Sequence, residues 1–152
     1  MTDFQRNAWN RAMPSRALKR GKMVHKVFLG EPVVISRTRG GSVFALRDLC
    51  PHRGVLLSAG RLCAEGSVID GKTLDVPQIE CPYHGWRFGP DGACQAIPCL
   101  VEGQEMDIGR IRVLRYPVRD IDGQIWIWIP EASDGPVLAD TPEPDHEPPV
   151  SA

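Results

Sequence analysis

Two short runs, Cys50-Pro51-His52-Arg53-Gly54 and Cys81-Pro82-Tyr83-His84-Gly85-Trp86, stand at the two ends of one segment. Each pairs a cysteine with a histidine one or two residues further on, puts a proline directly after the cysteine, and has a glycine soon after the histidine. Proline fixes its own φ, and glycine lets the backbone approach an inorganic group closely, so each run reads as a tight loop tip. Two such tips can clasp one metal ion or cluster, and the chain is organised around bringing them together.

Two kinds of metal centre take two thiolates and two imidazoles. Tetrahedral zinc is usually held by like pairs, cysteine with cysteine and histidine with histidine, at wider spacings. Here each pair is mixed and the first has a single intervening residue, which suits zinc poorly. The better match is a 2Fe-2S cluster with two thiolates on one iron and two imidazoles on the other, each loop giving one ligand of each kind. Cys50, His52, Cys81 and His84 are therefore the candidate metal and cofactor ligands.

These residues closely resemble the Rieske signature. More narrowly they resemble the Rieske domain at the N-terminus of the large subunit of ring-hydroxylating and related Rieske non-haem iron oxygenases. Arg87-Phe88 leading into Gly89-Pro90-Asp91-Gly92, the Ala96-Ile97-Pro98 run, and Tyr116-Pro117 ahead of Asp122-Gly123-Gln124-Ile125-Trp126-Ile127-Trp128 are similar to that family as well. Rieske proteins of the cytochrome bc type carry further cysteines in both loops, where this chain has Val55 and Tyr83, and a serine where it has Trp86. The resemblance covers roughly residues 9–130 and implies an all-β fold, an antiparallel β-sandwich with a two-loop cluster-binding subdomain.

The chemistry of the ligand set stands apart from the resemblance. With two thiolates the oxidised cluster is formally neutral, whereas four thiolates leave it negative, so the mixed cluster accepts an electron more readily. Potentials of such clusters run from roughly −150 to +300 mV, against about −400 mV for the all-thiolate plant type. Losing the serine donor of the bc type argues for the lower part of that range, since hydrogen bonds to the sulfurs tune it. Each imidazole also keeps a second N–H free to meet solvent, a carboxylate or a partner. His52 and His84 are thus the expected electron exit.

The rest of the chain divides into three parts. Residues 1–22 form a basic arm or short helix, broken by Pro14, with Trp9 packing on the domain. Residues 23–130 form the Rieske domain, its cluster-binding part about 47–100. Residues 131–152 form an acidic, proline-rich tail or linker, since 130–152 holds six prolines and six acidic residues with no lysine or arginine, a composition that buries no core. Without the tail, 18 basic residues face 13 acidic ones, a net of +5.

Within the middle part, runs at 26–29, 33–36 and 43–46 form a meander that delivers Cys50, with Gly40-Gly41 at a hairpin turn. Between His52 and Cys81 lie 28 residues, more than the resembling family uses; the excess at 62–79 reads as a surface excursion with a small hairpin through Ser67-Val68-Ile69. It is either a docking surface or a tolerated insertion. Cys63 reads as a free thiol, and Cys94 and Cys99 as small buried residues. Residues 111–116 and 124–129 read as two antiparallel strands joined through 118–123, with Trp126 and Trp128 on one core-facing side.

No apolar run approaches the length of a membrane span, and the first ten residues lack the apolar region of a secretory signal. Five cysteines, an odd number, fit a reducing compartment. The expectation is a cytoplasmic protein without membrane or nucleic-acid partners. The resemblance implies a flavin- or ferredoxin-type reductase as electron donor and a non-haem iron oxygenase catalytic domain as acceptor.

That catalytic domain needs two further histidines and a carboxylate. Outside the two loops the chain has only His25 and His146, 121 residues apart, which read as surface residues. Three readings follow: the electron-relay domain of an oxygenase terminal component, a free-standing Rieske ferredoxin, or a structural zinc module. The first accounts for Trp86 and the tail best.

Overall fold

The fold comes from a computed structural model and is described for residues 4–50, 55–69, 71–82, 85–96, 111–130, 144 and 146–148. Thirteen strands and two single 3-10 turns build the described part. In chain order the strands are β1 (Ala8–Pro14), β2 (Lys22–Phe28), β3 (Glu31–Arg37), β4 (Val43–Arg47), β5 (Arg61–Cys63), β6 (Ser67–Ile69) and β7 (Lys72–Leu74). They continue with β8 (Gln78–Glu80), β9 (Arg87–Phe88), β10 (Cys94–Ala96), β11 (Arg115–Tyr116), β12 (Val118–Ile121) and β13 (Gln124–Ile129). All pairings between them are antiparallel. The fold is all-β, and no helix among the described residues is long and apolar enough to cross a membrane.

The expected meander is present as β2-β3-β4, extended by β11 into a sheet of order β11-β4-β3-β2. Side chains alternate across a strand. Val33 and Ile35 of β3, Ala45 of β4 and Leu114 therefore enter one core with Met13, Leu18, Phe28, Tyr116 and the three isoleucines of β13. Val34, Phe44, Leu46 and Val113, pointing the other way, enter a second core with Cys50, Leu57, Ile79, Cys81 and Phe88. The central strands β3 and β4 are buried on both faces. The first core joins this middle sheet to the sheet β1-β13-β12, and the second to the sheet β10-β9-β8-β5.

Four expectations change. The supposed basic arm contains β1, which pairs along β13 from Ala8↔Ile129 to Pro14↔Gln124. Its charges hid it because Arg11 lies on the outer side, while Met13 reaches the core. The segment 118–123, read as a connection, contains β12, which forms a hairpin with β13 through Asp122 and Gly123. The strand β11 pairs with β4 rather than with β13. Finally, Ile125, Ile127 and Ile129, all fully buried, face the core, so Trp126 and Trp128 occupy the opposite face.

One arginine ties these parts together. Arg37, 9 % exposed, donates to the carbonyls of Leu18 (2.6 Å), Ser15 (3.1 Å) and Gly41 (2.9 Å), to Ser15 Oγ (2.9 Å) and to Asp120 Oδ2 (2.9 Å). It thereby links the connection after β1, the turn after β3, and β12. A planar guanidinium can serve so many acceptors at once; an ammonium cannot. Arg37→Lys is therefore expected to lower stability by about 2 kcal/mol or more in urea denaturation, because several buried carbonyls lose their donor. A loss below about 0.5 kcal/mol would show that solvent replaces those bonds at no cost.

Candidate metal centre

The first loop leaves β4 at Arg47. Asp48 follows and is fully buried. Its carboxylate accepts from the backbone N–H of Ser58 (2.7 Å), from Ser58 Oγ (2.5 Å) and from His25 Nδ1 (2.6 Å), while its own N–H donates to the Pro32 carbonyl (2.9 Å). One carboxylate thus binds both ends of the loop to each other and to β2. Between them, the Cys50 N–H donates to the Val55 carbonyl at 2.8 Å.

The second loop repeats that closure. The Cys81 N–H donates to the Trp86 carbonyl at 2.7 Å, again five residues on, and the Gly85 N–H returns to the Cys81 carbonyl at 3.1 Å. Gly85 has a φ of 69°, a left-handed conformation that glycine adopts without steric cost. Both cysteines are buried, 1 % and 2 % exposed, and both belong to the second core. His52 and His84 lie outside the described residues, as do the Ile97-Pro98 part of the expected third loop and Cys99.

The two loops are joined by a ladder. After Val55 the chain makes a 3-10 turn (Leu57–Ala59) and enters β5, which pairs with β8 from Arg61↔Glu80 to Cys63↔Gln78. The residue after β8 is Cys81. At the start of the ladder Gly60 lies so close to β8 that a Cβ there would sit 1.8 Å from the Glu80 carbonyl oxygen. Only glycine permits that approach.

The ladder also explains the extra length. The excursion at 62–79 begins and ends on paired strands, and the hairpin of β6 and β7 stands beyond them with Gly71 in its turn at a φ of 78°. Its two ends are already held together, so added length between them changes the closure entropy little.

Cys63 closes the ladder and is a free thiol, as expected, though a buried one. Its Sγ donates to Glu80 Oε2 at 3.7 Å, and Arg61 Nε (2.7 Å) and Arg87 Nη2 (3.3 Å) share that oxygen. Burial pushes the Cys63 thiol up from its ordinary value, with Arg87 opposing. Cys94 is buried in the second core, as a small core residue should be.

Asp48 and His25 escaped the sequence reading. Nothing in their spacing, 23 residues apart, marks a pair. The signal was only an acidic residue at the end of an apolar run, two positions before Cys50. His146, read like His25 as a surface residue, is exposed but sets its ring edge against Trp128 at 5.3 Å.

Fold and paired loops together define a Rieske iron–sulfur domain: the chain belongs to the Rieske 2Fe-2S domain family, whose model matches residues 8–117. Such a domain carries a Rieske-type 2Fe-2S cluster. More particularly, its relatives include oxygenase components. The chain is 34% identical over 130 residues to the oxygenase subunit of 3-chlorobenzoate-3,4-dioxygenase from Comamonas testosteroni, covering 85% of this chain and 27% of that protein. It superposes on the crystal structure of apo dicamba monooxygenase with a TM-score of 0.65 at 33% identity, covering 93% of this chain and 38% of that one. It is also similar to the oxygenase–ferredoxin complex of carbazole 1,9a-dioxygenase, with a TM-score of 0.65 and 31% identity over 90% of this chain and 32% of that one. The chain spans between a quarter and two fifths of the length of these relatives.

Two outcomes follow from the loop contacts. Asp48→Ala should cost about 3 kcal/mol in chemical denaturation, since it strands three buried or half-buried donors; an unchanged midpoint would mean the carboxylate does not hold the loop. Cys63 should alkylate slowly, at least ten-fold slower at pH 8 than a free thiol peptide, with a rate that still climbs with pH above the ordinary thiol value of 9.0, where that of the free peptide levels off. The sign for stability is the same: the raised value stabilises the fold fully below pH 9.0 and is lost as pH climbs through it. Fast alkylation at pH 7, read by mass spectrometry, contradicts the burial.

Proposed function

We propose that Cys50 and Cys81 hold one iron of the cluster and His52 and His84 the other, and that the chain relays single electrons from a reductase-side donor to the catalytic iron domain of a non-haem iron oxygenase. The observation that carries this reading is the matched closure of the two loops. Each cysteine N–H is bound five residues on, and both thiols lie buried in one core. Two soft thiolates from one apolar core fit one iron of a cluster, and the family supplies the rest of the donor set.

When bound, the cluster supplies a one-electron couple. The chain's own residues supply its setting. The apolar second core keeps water from the thiolates, which favours the less charged of two redox states. Asp48 and the β5–β8 ladder fix the spacing of the loops, so little rearrangement accompanies electron gain or loss. In the carbazole dioxygenase complex the oxygenase meets a ferredoxin. A ferredoxin or a flavin reductase is accordingly the donor proposed here, and the net +5 of residues 1–130 suits an acidic one. The oxygenase relatives favour a relay domain over a free-standing ferredoxin.

Substitution of ligands tests the assignment. His84→Cys should keep the cluster and lower its midpoint potential by roughly 100 mV or more, because an added thiolate makes it more negative. An unchanged potential on voltammetry would remove His84 from the ligand set. Cys50→Ser should lose most of its iron and part of its stability, since cluster binding is coupled to folding. A folded Cys50→Ser protein with full iron content contradicts the assignment. Titration of the wild-type protein with dithionite should consume one electron per cluster.

A further inference from the structure

The outer face of the β1-β13-β12 sheet is built from tryptophan and arginine. Residues directly opposite one another in an antiparallel pair share a face. Trp9 stands opposite Trp128, and both Arg11 and Arg119 stand opposite Trp126. Trp9 and Trp128 meet edge to face at 5.7 Å, the Arg11 guanidinium lies 5.3 Å from the Trp126 ring, and that of Arg119 lies 5.2 Å from the Trp9 ring. Trp9 and Trp126 are themselves buried, 7 % and 6 % exposed, yet neither belongs to the two core clusters.

A piece of the acidic segment lies on this face. The Trp9 indole N–H donates to the His146 carbonyl at 3.0 Å. The His146 ring sets its edge against Trp128 at 5.3 Å and 75°, Arg119 Nε donates to Glu147 Oε2 at 2.9 Å, and Pro148 is buried. Three consecutive residues thus make a hydrogen bond, a ring contact and an ion pair, and bury a proline. The Trp126 indole N–H, also buried, has no acceptor among the described residues, so the face still holds an unfilled donor.

We propose that this face is a recognition surface for an acidic, proline-containing segment, and that residues 146–148 are its resident ligand. Composition agrees on both sides: the face offers arginine and indole donors, and residues 130–152 hold six prolines and six acids without a single lysine or arginine. Proline reduces the entropy lost when such a segment is laid down. The ion pair is the weaker anchor, since Glu147 is 65% exposed and its charge is screened. The indole bond and the edge-to-face ring contact give the hold; charge selects against basic segments.

The experiment compares the full chain with a full-length variant whose residues 144–148 are replaced by glycine and serine, using the indole N–H signals of the four tryptophans in nitrogen-15 NMR. The Trp9 indole signal should shift in the variant and exchange with solvent at least ten-fold faster, with circular dichroism and visible spectrum unchanged. Trp9→Phe in the full chain identifies the signal. Adding a synthetic peptide of residues 140–152 at millimolar concentration to the variant should return the Trp9 signal to its original position. A peptide with Glu147→Gln should bind within two-fold of it, and one with Glu147→Arg several-fold more weakly. Identical Trp9 signals in chain and variant would overturn the contact. A shift that the free peptide never reverses would overturn the recognition surface, leaving only a tethered strap. Neither outcome depends on the ligands of the cluster.

Discussion

The two central strands of the middle sheet, β3 and β4, have no free face, and the rest of the molecule depends on that. Alternation along β3 and β4 sends Val33, Ile35 and Ala45 one way and Val34, Phe44 and Leu46 the other, so both cores share one set of strands. Neither core can shift without the other. The cysteines enter the second core as two of its members, which means that the same burial that stabilises the fold also places the thiols.

Fixed thiols are of use only if the loops carrying them are fixed as well, and here polar groups do what apolar packing cannot. A buried carboxylate, Asp48, gathers three donors from two elements, and one bond from each cysteine amide sets the width of its loop. The β5–β8 ladder then joins one loop to the other through Gly60, where the backbones nearly touch. Buried polar groups of this kind are costly when left unpaired and strongly orienting when satisfied. That is the property a redox site needs, since electron transfer is fastest when little has to move.

Much of this was legible in the sequence because the signals were local. Paired Cys–His loops, the Gly40-Gly41 turn, the hairpin through Ser67-Val68-Ile69 and the turn after Phe88 each announce themselves within a few residues. What stayed hidden was non-local or ambiguous in period. The strand β1 carries Arg11 on its outer side and, in a stretch rich in basic residues, looked like a solvated arm. The run Gln124–Ile129 is apolar on both faces, so alternation alone could not say whether isoleucine or tryptophan faces the core. The bond between His25 and Asp48, and the return of residues 146–148 to the sheet, join positions with no relation in sequence.

The central claim is that two cysteines and two histidines, one of each from either loop, hold a 2Fe-2S cluster. Pulsed EPR of the dithionite-reduced protein, prepared with nitrogen-15 histidine and with iron and zinc counted on the same sample, tests it most directly. The account predicts about two irons, no zinc, and two strongly coupled histidine nitrogens on one iron. A reduced cluster without histidine coupling, or a colourless protein holding one zinc, would contradict it.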